Sequence, residues 1–435
     1  PRRLRQRVLQ DRRERLARQT APTVDGNLMD KPKHIGPLAC LRVLELAQIM
    51  AGPTCGMMLA DMGADVIKVE KLPGGDDARA YREPRVNGVS APFMILNRNK
   101  RGIALNLKHA QGRDILLRMV KDADVLTENY RRGTLEKLGL GYDVLSKVNP
   151  GLIYCAVSGY GRDGPDGDKP GFDLIAQGFS GLMSITGEPG GPPAKTGNSI
   201  ADTNAGILAM AGITAAYVHK LKTGEGQIVD TSLIEAALQQ TYWQAAIYFA
   251  TGESSGPTGS AHLLTAPYQA FKASDGWINI GGANQANWER IAVALGQPGW
   301  REDPRFATNS QRMEHREALV AMMSEIVATR TKAEWIAILD EAGVPVGPVH
   351  TIGEALTHPQ TLARGMVVDL VHPQAGPTRA LGCPIHFSKT ATRIDRPAPM
   401  LGEHSRELLR EYGYSDGEID GFVEAGVIEE TNSPC

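Results

Sequence analysis

From Leu41 onward, short apolar runs alternate with segments whose apolar positions recur at helical spacing. LRVLELA (41–47) and DVIKVEK (65–71) read as strands, and the small-residue run AGPTCGMMLADMGA (51–64) between them reads as a helix. A strand, helix, strand unit of roughly thirty residues predicts parallel pairing through a right-handed crossover. The same grammar continues with GIALNL (102–107) as a strand, GRDILLRMVKDA (112–123) as a helix, and DVLTENY (124–130) and LIYCAVSGYG (152–161) as strands. The expected class is therefore α/β, with an open, doubly wound parallel (Rossmann-like) large domain. Ligands of such sheets sit beyond the carboxyl ends of the strands, which directs attention to 47–53, 70–77, 128–133 and 158–173.

Two helices are expected over 202–221 and 232–250, long enough to connect lobes. TGESSGPTGSA (251–261) reads as an exposed loop, and APYQAFKASDGWINIGG as a hairpin turning at Ser274-Asp275-Gly276. Helices near 287–295, 311–329 and 332–342 complete a smaller α+β domain. The expected layout is a basic extension outside the fold (1–36), a large domain (37–225), a linker (226–261), a small domain (262–348) and a segment returning to the large domain (349–430).

Composition narrows the classes further. The 435 residues are 42% hydrophobic and 22% charged, which suits a globular chain with a buried core. Five cysteines, widely spaced and without a CxxC pair, argue against a disulfide scaffold or structural zinc and favour a reducing, cytoplasmic setting. A net charge of −2 provides no field for nucleic acid, and the sequence has no apolar run of about 18 residues to span a membrane. The first twenty residues carry eight arginines against Asp11 and Glu14. A start read upstream of Met29 is the plainer account of that arm, and a mitochondrial presequence is the functional one.

Candidate chemistry begins with what is missing. Where a dinucleotide-binding turn requires GxGxxG, the chain has Ala51-Gly52-Pro53-Thr54-Cys55-Gly56, and a proline there removes an amide donor. A Walker loop and a GxSxG elbow are also absent. Asp173, in PGFDLIAQGF, stands between a glycine and an apolar helical run. It reads either as an N-cap or as a carboxylate nucleophile, which needs no partner base at neutral pH because its reference pKa is about 3.9. Basic and amide residues gather after the strands: Lys71, then Asn97, Asn99, Lys100 and Arg101, then Asn129, Arg131, Arg132 and Lys137. They read as solvated loop charge or as a cradle for a phosphorylated ligand.

AGP followed by GADVIKVE, then LNRNKRGIALNLK, ENYRRGTLEKLGLGYD, PGFDLIAQGFSGLMSITG and a late LGEHS together resemble a family III CoA-transferase, over roughly 37–428. That resemblance implies a two-lobed protomer, two protomers interlocked as a homodimer, and acyl-CoA and a carboxylic acid as substrates, with no tightly bound cofactor or metal. It places the nucleophile on Asp173, which attacks the acyl-CoA to give an aspartyl anhydride and then an enzyme–CoA thioester. It places CoA contacts on Met50, Ala51, Lys71, Leu96, Asn97, Lys100, Asn129, Tyr130, Lys137 and Leu138. Met50 stands where formyl-CoA transferase has a glutamine, which argues against formate or oxalate. GSAHLLTAPYQAF (259–271) and the later GGANQ resemble the succinyl-CoA:glutarate branch, with His262, Gly281 and Gly282 as substrate-side candidates. The rival within the fold, an α-methylacyl-CoA racemase, needs a histidine shortly upstream of the aspartate. Here none lies between His109 and His219.

Overall fold

The structure is a computed structural model describing residues 36–431. Most of the basic extension and the last four residues, Asn432 to Cys435, lie outside the described residues. The strands run in chain order as β1 (Arg42–Glu45), β2 (Asp65–Lys71), β3 (Arg85–Val86), β4 (Val89–Ser90), β5 (Arg101–Leu105), β6 (Val125–Glu128), β7 (Ile153–Ser158), β8 (Ile228–Ser232), β9 (Tyr268–Ala273), β10 (Gly276–Gly281), β11 (Val346–Pro348), β12 (Val367–His372), β13 (Gly376–Leu381) and β14 (Ile428–Glu429). They fall into two compact units. The first comprises the described residues up to Leu182, Thr196–Trp243 and those from Leu362 onward; the second comprises Met183–Lys195 and Gln244–Thr361.

The first unit is built on a seven-stranded sheet in the order β14-β5-β2-β1-β6-β7-β8. β1 pairs in parallel with both β2 and β6, and β6–β7, β7–β8 and β2–β5 are also parallel; β14 closes the edge antiparallel to β5. The chain runs outward from β1 through β2 to β5 and returns to β6 on the other side of β1. That reversal creates the switch point at which α/β sheets bind ligands. Strands such as Ile153–Ser158, buried over almost their whole length, suit a sheet covered on both faces. One face packs Leu44, Ile67, Ile103 and Leu126 with Leu116, Leu408 and Ile419. The helices Ala51–Asp61 and Ile200–Thr223 approach at Gly206, where a Cβ would lie 2.5 Å from the Ala51 carbonyl oxygen.

The second unit joins the β9–β10 hairpin to β11 in a three-stranded sheet. Its core stacks Trp288 on Trp300 at 6.3 Å between centroids, with Phe306 edge-on to both. The buried Arg312 guanidinium donates to the carbonyls of Ala266 and Phe306.

Two expected helices are broken. The 232–250 stretch divides into Leu233–Leu238 and Tyr242–Thr251 around a 3₁₀ turn at Gln239–Thr241, where the Thr241 hydroxyl donates to the Leu238 carbonyl at 2.7 Å. The 311–329 stretch divides into Asn309–Glu314 and Arg316–Val327 at His315, whose ring bonds the Gln311 carbonyl. At the first break the carbonyl is bonded by a side chain, and at the second the His315 ring shares the Gln311 carbonyl with the His315 backbone N–H.

Candidate active site

β7 ends at Ser158, and residues 159–171 leave the sheet and return in a closed loop. A Cβ on Gly159 would lie 2.6 Å from the Gly171 Cα, so the two glycines meet backbone to backbone and pinch the loop shut. Arg162 anchors its outer part: the guanidinium donates to Glu128 and Glu136, each at 2.5 Å, and the backbone N–H donates to Asp230 at 3.1 Å. Two residues past the pinch, Asp173 opens the helix Asp173–Phe179.

Asp173 does not cap its own helix, whose N-cap is Phe172. Its Oδ1 accepts from the backbone N–H of Ala201 at 2.9 Å and of Asp202 at 3.4 Å. These amides belong to the first turn of Ile200–Thr223, whose own N-cap, Ser199, makes no side-chain cap. The carboxylate thus occupies the N-terminus of a 24-residue helix, where unpaired N–H groups and the helix dipole favour negative charge. Oδ2 accepts from Gln177 Nε2 at 2.7 Å. Gln177 is fully buried, and its Oε1 accepts from the Thr196 backbone N–H at 2.9 Å. A backbone amide only donates, so the Gln177 carboxamide is oriented with its nitrogen toward Asp173. Burial, together with the Asp173 charge, pushes the Asp202 carboxyl up to about 7. Around Asp173, Phe172, Leu174, Ile175 and Phe179 are exposed.

Met50, Ala51, Lys71, Asn129 and Tyr130 follow β1, β2 and β6, the strands around the switch point. After β1 the chain turns through Ile49 at φ 68°, a left-handed conformation costly for a β-branched residue. Three hydrogen bonds hold the turn: Asn129 accepts from the Gln48 N–H and donates to the Gln48 carbonyl, while Asp76 accepts from the Ile49 N–H at 2.9 Å. Met50 and Ala51 then begin the helix Ala51–Asp61. Gln48, Lys71, Asp76 and Tyr130 line one small depression, with Lys71 Nζ donating to Gln48 at 3.2 Å and to Asp77 at 2.5 Å. Lys137 is exposed at the end of Thr134–Lys137, Leu138 packs against the main core, and Leu96 is half-buried.

Lys100 and Asn97 depart from the reading of solvated loop residues. Both are fully buried, and the Lys100 ammonium spends its donors on Glu45 (2.9 Å), the Pro53 carbonyl (3.0 Å) and Asn97 Oδ1 (2.9 Å). Glu45 also pairs with Lys68, which reaches Asp76 at 2.8 Å and the Ala47 carbonyl at 2.9 Å. Burial lowers Lys100 to about 8; for Lys68, burial lowers the pKa but is outweighed by Glu45 and Asp76, which hold it above its usual range. Gly56 makes room for this network, since a Cβ there would fall 1.7 Å from Glu45 Oε2. These charges brace the Ala47–Met50 turn from beneath.

His262, Gly281 and Gly282 belong to the second unit. The His262 ring stacks on Tyr268 at 5.3 Å, and its Nδ1 accepts from the Leu264 N–H, which puts the neutral ring's proton on Nε2. Gly282 meets the Pro267 carbonyl, 2.3 Å from where its Cβ would be, so its small size is a packing requirement.

Gln48 and Asp76 fall in the segments 47–53 and 70–77 expected after the strands, though neither residue stands out there by itself. Gln177 carries a local signal, four residues after Asp173 on one helical face, whereas Ala201 and Asp202 carry none.

The description "CoA-transferase family III" fits residues 38–405, most of the chain. The chain belongs to CoA-transferase family III. It is similar to the succinate–glutarate CoA-transferase of Agrobacterium fabrum, at 39% identity over 88% of this chain and 98% of that one. It is likewise similar to the mouse succinyl-CoA:glutarate CoA-transferase, at 36% identity over 91% of each chain. Among solved structures, a CAIB/BAIF family protein from Brucella suis matches with a TM-score of 0.78 and 39% identity, covering 87% of this chain and all of that one. The family III enzyme thus combines a parallel α/β sheet with CoA-transferase relatives along nearly its full length. Among its described residues no helix is long and apolar enough to cross a membrane.

Proposed function

We propose that this enzyme moves CoA from succinyl-CoA, or a similar short acyl-CoA, to a small dicarboxylic acid, with Asp173 as the covalent nucleophile. The observation that carries this reading is the Asp173 carboxylate itself, partly exposed yet held by two backbone amides and a buried glutamine. An ionised carboxylate is already nucleophilic, and the thioester, anhydride and enzyme-thioester steps exchange one activated acyl group for another of similar energy. The donor and acceptor follow the substrates for which the Agrobacterium and mouse relatives are named.

The Ala47–Met50 turn, Lys71 and Tyr130 are proposed as the CoA side of the site, with Asn129 as the residue that shapes the turn. Lys137 is proposed as an outer phosphate contact, and Asn97 and Lys100 as supports beneath. His262, Gly281 and Gly282 are proposed as substrate-side residues on the sequence resemblance to the succinyl-CoA:glutarate branch. A homodimer belongs to the same reading, and the exposed Phe172, Phe179, Tyr242 and Trp243 support a covering partner copy.

The deciding experiment incubates purified protein with succinyl-CoA and a panel of carboxylates and weighs the acyl-CoA products. Glutaryl-CoA or another short diacid thioester is the expected result. Proton exchange at the α-carbon of a branched acyl-CoA without any CoA transfer would replace the reading with isomerase chemistry.

A further inference from the structure

The two oxygens of Asp173 have unlike surroundings. Oδ1 faces two backbone donors at 2.9 and 3.4 Å, fixed in the first turn of Ile200–Thr223. Oδ2 faces one side-chain donor, the Gln177 amide at 2.7 Å, whose orientation is locked by Thr196. An oxygen that must carry a full negative charge is best served by preorganised backbone N–H groups at a helix N-terminus. An oxygen that must attack is better served by fewer donors, which leave a lone pair free.

Resting on the aspartyl-transfer reading above, we infer that the two oxygens have fixed and different fates: Oδ2 attacks and is exchanged at every turnover, while Oδ1 is retained and carries the charge of each tetrahedral intermediate centred on Cγ. Oδ2 bonds to the donor acyl carbon as its C–S bond breaks, and CoA leaves as a thiolate. The thiolate attacks Cγ, and the C=Oδ1 electron pair moves onto Oδ1 between the Ala201 and Asp202 amides. Return of that pair expels the donor carboxylate, which takes the former Oδ2 with it and leaves the Asp173 thioester. The acceptor carboxylate then attacks Cγ, Oδ1 again takes the charge, and the thiolate departs. Thiolate attack on the acceptor acyl carbon releases the Asp173 carboxylate with an acceptor oxygen in the Oδ2 place. No proton, oxidant or reductant is consumed. Gln177 is a positioning residue in this scheme, because it keeps the regenerated carboxylate from turning over between cycles.

The test uses the whole enzyme, succinyl-CoA and an acceptor it turns over, supplied with both carboxylate oxygens heavy-isotope labelled. After many turnovers the peptide containing Asp173 is weighed. One heavy oxygen, and never two, is expected. Two heavy oxygens would overturn the assignment of fates while leaving the aspartyl reading intact. An unlabelled peptide from enzyme that has made product would overturn both. In Gln177→Ala, checked for retained folding by its melting temperature, the second label is expected to enter; a variant that still turns over with a single label would overturn the role given to Gln177.

Discussion

Gly159 and Gly171 touch backbone to backbone, and this contact sets where Asp173 stands. A Cβ on Gly171 would lie 2.5 Å from the Gly159 Cα, and neither backbone has a flexible end that can yield. Gly171→Ala is therefore expected to open the loop and displace Asp173 from the Ala201 and Asp202 amides. Displacements of about 1 Å at a reacting group cost on the order of a hundredfold in rate. Turnover should fall by that order while circular dichroism and CoA binding persist.

Removing the carboxylate separates chemistry from structure. Asp173→Ala should abolish CoA transfer and also uncap the helix Ile200–Thr223, at about 1 kcal/mol, the usual cost of losing an N-cap. Asp173→Asn keeps an acceptor oxygen for the Ala201 amide, so it should be equally inactive but melt closer to the parent. The pair of melting curves beside the activity assay checks both statements.

Asp202 gives the stability a pH dependence. Its carboxyl is pushed from 3.8 up to about 7 by burial first and by the Asp173 charge second, so the folded state prefers the neutral form. The stabilising preference is fully present below pH 4 and is lost as pH rises through about 7, where ionisation is forced in a buried place. Asp202→Asn is therefore expected to raise the melting temperature more at pH 8 than at pH 5. An equal shift at both would contradict it.

The Glu45 carboxylate lies between the ammonium groups of Lys68, at 3.1 Å, and Lys100, at 2.9 Å, all without exposed side-chain surface. Glu45→Ala leaves buried positive charge uncompensated, a change that typically costs roughly 3–5 kcal/mol. A large drop in the denaturant midpoint is expected, and with it a loosened Ile49 turn read as weaker CoA binding.

Lys71, half exposed beside Gln48 and Asp77, tests the proposed CoA side directly. Lys71→Ala should raise KM for the acyl-CoA several-fold with little change in kcat and in melting temperature, since the charge it removes is at the surface.

Much of this was legible in the order of residues. The β1–β2 unit, the β9–β10 hairpin and its Ser274-Asp275-Gly276 turn follow from local periodicity and turn chemistry, which depend only on near neighbours. The motifs around GADVIKVE, NRNKRG and PGFDLIAQGF identified the family and singled out Asp173 for the same reason: they are contiguous. The fate of Lys100 was not legible, because a lysine in a polar turn looks the same whether its ammonium meets water or the buried carboxylate of Glu45, 55 residues earlier. Nor was the partner set of Asp173, since Ala201 and Asp202 lie 28 and 29 residues away and offer only backbone amides, which every residue but proline carries. Sequence alone determined which side chains are available and the pitch of the elements bearing them. The tertiary structure decided which of them meet, because that depends on how closely glycines such as Gly171 and Gly206 let backbones approach, and a distance of that kind has no local pattern.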